Sequence, residues 1–205
     1  MIARNIVLFC LVAGILTLAP QPEAVAARKD SSAPGTYRDW NGDIDEVTIL
    51  QPFDAATYES IAVETFDTAG VPLPNPNDNT YAAVQRAIRV IKPAFMAGLG
   101  ESARRKIDAS NLRGTGKGRI LLIRARVIKL DPGSQAARYF FSFGAGAVKI
   151  AMAGEIIDGS TKKTLVRFKQ ERRSAVGLLG GGYEALFTRT ARQIGDDIGG
   201  LVNAF

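Results

Sequence analysis

Three stretches, residues 119–131, 148–158 and 164–174, dominate what this chain can become, because their apolar side chains recur at every second position. That period places alternate residues on opposite faces of a strand and cannot be worn by a helix. In "RILLIRARVIKLD" the residues Leu121, Ile123, Ala125 and Val127 form one wholly apolar face, while Arg124 and Arg126 stand on the other. The two arginines predict a sheet covered on one side and partly wet on its opposite side. "VKIAMAGEIID" and "TLVRFKQERRS" flank Asp158-Gly159-Ser160-Thr161 as a hairpin. Earlier, "ESIAVETFD" alternates Ile61 and Val63 with Ala62 and Glu64 and reads as a first strand.

Two helical patterns complete the set. Tyr81, Val84, Ile88, Ile91 and Phe95 recur in steps of three and four, with Gln85, Arg86, Arg89 and Lys92 opposite them. Asp78 or Asn79 supplies an N-cap, and Pro93 is expected to kink or end this helix. After a Gly-rich run at 177–182, Phe187, Ala191, Ile194, Ile198, Leu201 and Phe205 mark a C-terminal helix. Gly195, Gly199 and Gly200 weaken it by about 1 kcal/mol each or mark close packing against another element. The expected fold class is α/β: a single domain, a mainly antiparallel sheet with helices packed on one face.

The N-terminus reads as an export signal. Arg4 precedes the apolar run Ile6 to Leu18, Pro20 breaks it, and Ala24-Val25-Ala26 offers the small residues of a cleavage site. The run is shorter than the roughly 20 residues of a membrane-spanning helix, so cleavage near Ala26 is expected, with an uncleaved, membrane-associated N-terminal helix as the alternative. The expected division is a signal peptide at 1–26, an extended N-terminal segment at 27–58 and an α/β domain at 59–205. Phe9 before Cys10 argues against a lipoprotein signal, and Cys10 leaves with the signal peptide. The remaining chain has neither Cys nor His, which excludes disulfides, thiol nucleophiles, Cys/His zinc sites and Ser-His-Asp triads. Arg4 and Glu23 cancel, so export leaves the net charge at +6. For an exported protein this charge is either a solubility surplus or points to anionic lipid, lipopolysaccharide or an acidic protein partner rather than nucleic acid.

Apparent motifs fail on spacing. Gly114-Thr115-Gly116-Lys117-Gly118 lacks the first glycine and the closing hydroxyl of a phosphate loop. Gly144-Ala145-Gly146 is followed by a period-two segment instead of a helix, so it is a bent or bulged corner and no dinucleotide cradle. Asp39 to Asp43 places its glycine too early for a calcium loop, and Trp40 is either a docking contact or a lid on the core. The acidic pairs Glu155/Asp158 and Asp196/Asp197 have no base or nucleophile at a diagnostic spacing. No enzymatic activity and no cofactor or metal are expected.

"DPGSQAARYFFSFGAGAVKIAMAGEIIDGSTKKTLVRF", with the Gly-rich break and amphipathic helix after it, resembles the bacterial family termed domain of unknown function 4410, many of whose members are exported or lipoproteins. The resemblance runs from Ile61 to the C-terminus and is sharpest at Asp131-Pro132-Gly133-Ser134, Ala137-Arg138-Tyr139 and Gly144-Ala145-Gly146. The chain departs from it in lacking a lipidation signal and in Lys162, where glycine is expected to close the hairpin turn. The strand and helix order is also similar to curli-secretion lipoproteins and the N-terminal domain of the Tol-system propeller protein, at the level of fold alone.

The expected function is that of a non-enzymatic periplasmic protein of a Gram-negative envelope, acting through protein binding or self-association. The alternative is a carrier or sensor of an amphiphilic, lipid-like ligand held between sheet and helices. Arg138, Tyr139, Phe141, Phe143, Gly144 and Gly146 are expected at the contact or at the corner supporting it, with packing of the aromatic residues in the core as the alternative. Arg104, Arg105, Lys117 and Arg119 are expected to form an anion-facing patch, with peripheral contact to anionic lipid.

Overall fold

The computed structural model describes residues 25–26, 33–41, 43–110, 112, 118–133, 147–174 and 182–205. Its strands are β1 (Val25–Ala26), β2 (Gly35–Trp40), β3 (Ile44–Ile49), β4 (Ser60–Asp67), β5 (Ile120–Asp131), β6 (Val148–Asp158) and β7 (Thr164–Ser174). Its helices are α1 (Tyr81–Ala103) and α2 (Tyr183–Asn203), with a 3-10 turn at Ala55–Thr57. The strands form one sheet in the order β1-β2-β3-β7-β6-β5-β4. Neighbours are antiparallel except β1 with β2 and β4 with β5, and α1 is the crossover that the β4–β5 parallel pair requires.

The periodicities place the core. Leu121, Ile123, Ala125 and Val127 are buried beneath the helices with Ile150, Met152, Ile156, Val166 and Phe168, whereas Arg124 and Arg126 are exposed on the other side. Helix α1 contributes Val84, Ile91, Phe95 and Leu99, and α2 contributes Phe187, Ala191, Ile194 and Ile198. The two helices lie in backbone contact. A Cβ placed on Gly98 or Gly195 would meet the carbonyl group of Arg192 or Phe95 respectively, and one on Gly199 would meet Ser102 and Ala103. Close packing is therefore why Gly195 and Gly199 are tolerated in a helix, while nothing lies within reach of Gly200.

Two expectations are corrected. Pro93 neither ends nor interrupts α1, which runs ten residues further, to Ala103. The proline lies on the exposed side of the helix, where the carbonyl left without an N–H partner is open to solvent, so the lost bond is tolerated. The helix N-cap is Thr80; Asp78 acts one step earlier, its Oδ1 accepting from the Thr80 backbone N–H at 2.8 Å and from the Thr80 hydroxyl at 2.6 Å.

The segment read as an extended N-terminal arm contains the β2–β3 hairpin, and β3 pairs with β7 from Glu46↔Lys169 to Ile49↔Val166. Its turn uses left-handed backbone at Asp39 and Asn41, residue types that tolerate it. Trp40 is buried and stacks on Phe205, 6.2 Å between centroids, while Phe205 stacks on Phe53 at 4.6 Å. The tryptophan is thus a core residue, and it closes the hairpin against the end of α2.

Candidate functional site

The uncovered face of the sheet is built by register. Thr65, Arg124, Glu155, Arg167, Thr48 and Thr36 are successive partners across five strand pairings, and Asp67, Arg126, Ala153, Lys169, Glu46 and Arg38 form the adjacent row. These residues share one face because side chains two apart on a strand point the same way. Most of their charges are matched: Arg167 bonds Glu155 at 3.1 Å, Lys169 reaches Glu46 at 2.7 Å, and Arg124 is held by Glu64 at the β4 bulge. Such exposed pairs are worth at most about 1 kcal/mol each, so they set side-chain position more than stability.

A groove of about 520 Å³ crosses this face. Its origin is steric: in the second row the methyl group of Ala153 lies between the long chains of Arg126 and Lys169, leaving a depression that Ala153 and Gly154 floor. Gly154 is needed beneath, because an added Cβ would meet the Phe168 ring that packs against it on the core side. Four cations (Arg124, Arg126, Arg167, Lys169) and three carboxylates (Glu46, Asp67, Glu155) line the groove. Among the described residues Arg126 has no ion-pair or hydrogen-bond partner, so its guanidinium is available to a ligand.

Two buried polar clusters secure the ends of the sheet. Asp158 is an acceptor for four donors: Ser160 and Thr161 N–H groups at 2.9 and 2.8 Å, the Tyr58 hydroxyl at 2.8 Å and the Arg119 guanidinium at 2.8 Å. The Thr161 amide and the other donors hold its carboxyl well below the usual range against the opposing effect of burial. Burial, followed by the hydrogen bond to Asp158, pushes the Tyr58 hydroxyl up to about 12. At the other end, Arg172 grips Asp197 through two bonds of 2.7 and 2.6 Å, and Gln170 bridges Asp197 to the Asp43 carbonyl. Burial pushes the Asp197 carboxyl up despite Arg172. This second cluster joins α2, β7 and the β2–β3 turn. Of the four acidic residues noted in the sequence, three are committed to partners, Glu155 to Arg167, Asp158 to its turn and Arg119, and Asp197 to Arg172, while Asp196 is exposed.

The expected contact residues Arg138, Tyr139, Phe141, Phe143, Gly144 and Gly146, and Lys117 of the basic patch, lie outside the described residues. Arg104 and Arg105 are exposed at the C-terminal end of α1. Arg119 is placed differently from them: its guanidinium lies 4.4 Å from the Tyr58 ring centre and bonds Asp158, which makes it a structural cation. What sequence reasoning missed is the groove. Its local signal was Arg124 and Arg126 in mid-strand together with the small pair Ala153-Gly154, but their alignment depends on register.

No curated protein sequence matches the chain. Among solved structures it is similar to the PelC dodecamer from Paraburkholderia phytofirmans in two crystal forms, at 11% and 10% identity with TM-scores of 0.39 and 0.34; in each case 74% of this chain and 95% of that chain are covered. It is also similar to protein XCC0632 from Xanthomonas campestris, a DUF330 protein, at 13% identity and a TM-score of 0.38, over 71% of this chain and 84% of that chain. Residues 61–177, which run from β4 through β7, match the domain of unknown function DUF4410, and the chain belongs to that family.

Proposed function

We propose that the protein is an exported, non-enzymatic module of the cell envelope that binds a protein partner through the open face of its sheet. The observation that carries this reading is the groove over Ala153 and Gly154, where Arg126 has no ion-pair partner among the described residues while Arg124, Arg167 and Lys169 around it are each paired. A carboxylate on a partner segment laid across the sheet would complete the pattern, and the flanking ion pairs hold the banks in place. Removal of residues 1–26 on export takes β1 off the sheet and leaves β2 as its edge.

The alternative of an amphiphile carrier needs a chamber between sheet and helices. That space is filled by Phe95, Leu99, Phe168, Phe187 and Met152, all essentially inaccessible to solvent. The open groove is instead on the far side and lined by charge, which favours a polar protein segment over an acyl chain.

The test is affinity capture from envelope extracts with the wild-type protein, Arg126→Glu and Arg86→Glu. Loss of the captured protein, or of self-association, with Arg126→Glu alone supports the sheet face; capture unchanged by Arg126→Glu contradicts it.

A further inference from the structure

The helical side of the molecule carries its charge differently from the sheet side. Arg86, Arg89, Lys92, Arg104, Arg105 and Lys106 are all exposed on α1 and the turn that follows it. Among the described residues none of the six side chains has an ion-pair or hydrogen-bond partner, whereas Arg124, Arg167, Lys169, Arg172 and Arg173 on the sheet each have a carboxylate within 4.0 Å. Glu101, the exposed carboxylate within α1, is bonded to Arg192 of α2, and of the six cations it and Asp108 act on Arg104, leaving Arg86, Arg89 and Lys92 without a nearby carboxylate among the described residues. At 1.5 Å of rise per residue the cations from Arg86 to Arg104 span about 27 Å.

Between the cations the exposed positions other than Glu101 are small, Pro93 and Ala97, and none carries a large apolar side chain. The exposed large apolar residues, Leu50, Leu73 and Ile128, are all elsewhere. A protein partner of ordinary affinity would be met by buried aromatic or aliphatic anchors, and this face offers none. It offers a row of exposed cations without ion-pair partners among the described residues on a rigid helix, which complements a flat, delocalised layer of negative charge.

We propose that the solvent side of α1 seats the protein on an anionic bilayer leaflet through lipid phosphate groups. The interaction is electrostatic and peripheral, so it weakens with salt and involves no insertion of the helix. It places the helical layer toward the lipid and the sheet groove away from it, so the two surfaces operate independently.

The experiment is co-sedimentation of the purified protein with phosphatidylcholine vesicles and with vesicles containing 30% phosphatidylglycerol. The readout is the ratio of anionic to neutral binding, which removes any contribution of the apolar run at Ile6–Leu18. The variant Arg86→Gln/Arg89→Gln/Lys92→Gln is compared with the charge-matched variant Arg124→Gln/Arg126→Gln/Arg167→Gln. At about fivefold per cation the helix variant should lose on the order of a hundredfold in this ratio, and the sheet variant less than about tenfold. Circular dichroism confirms that both are folded. Equal losses in the two variants, no preference of the wild type for anionic vesicles, or an equal helix-dependent affinity for polyglutamate would each overturn the proposal.

Discussion

Replacing Gly195 by alanine isolates the close approach of α1 and α2. On propensity alone the change should stabilise α2 by about 1 kcal/mol. The added Cβ, however, would stand 2.0 Å from the Phe95 carbonyl oxygen and 2.8 Å from the Leu99 nitrogen, where about 3.4 Å is the nearest comfortable contact. Both obstructing atoms are backbone in the middle of α1, so relief requires the helices to separate by roughly 1.4 Å, loosening Phe95, Leu99, Ala191, Ile194 and Ile198 together. Overpacking of this kind costs about 1–3 kcal/mol even when side chains can yield, and more when they cannot. After the propensity gain, a net loss of about 2–4 kcal/mol is expected, or roughly 5–15 °C in melting temperature for a domain of this size. Gly200→Ala is the internal control, because open space surrounds it and it should gain about 0.5–1 kcal/mol. Urea melts followed by far-ultraviolet circular dichroism measure both. A neutral or stabilising Gly195→Ala would refute backbone contact between the helices.

The remaining predictions concern the Asp158 turn. Lys162 adopts φ 59°, where a side chain is strained, and its exposed pairing with Glu64 at 3.8 Å contributes little; Lys162→Gly should therefore raise stability by about 1 kcal/mol and Lys162→Ala should not, as chemical denaturation would show. Because the folded-state pKa of Asp158 is depressed, its contribution is complete above about pH 4 and is lost as pH falls through the folded value, so acid unfolding of Asp158→Asn should be flatter below pH 4 than that of the wild type. Tyr58 has the opposite sign: its raised pKa contributes stability that is complete below about pH 10 and lost as pH rises to about 12, and denaturant midpoints of Tyr58→Phe should lack that alkaline decline.

The strands β5, β6 and β7 were legible because alternation survives over most of each, but the bulge between Val127 and Lys129, which turns Leu130 onto the buried face instead of the arginine face, was not. Gly195 and Gly199 were legible as either defects or contacts, and only the position of α1 decides between these. Pro93 misled because local rules treat it as a break, whereas its orientation toward water makes the lost bond tolerable. The hairpin β2–β3 was not recognised as part of the sheet since its partner β7 lies more than 100 residues away, and the apolar positions Ile44, Val47 and Ile49 carry only a short pattern. The groove was invisible for a related reason. Arg126, Ala153 and Lys169 become neighbours only when register aligns three strands, and no single segment contains the depression.

A photo-reactive amino acid placed at Ala153, with one at Ala97 as comparison, tests the open sheet face most directly. Both positions are small, and they lie on opposite sides of the molecule. Irradiation in the intact envelope followed by mass spectrometry should give a discrete protein adduct from position 153, involving either another protein or a second copy of the chain, and none from position 97. Adducts confined to position 97, or none at position 153 while the protein is folded and exported, would contradict the assignment of the sheet groove as the binding surface.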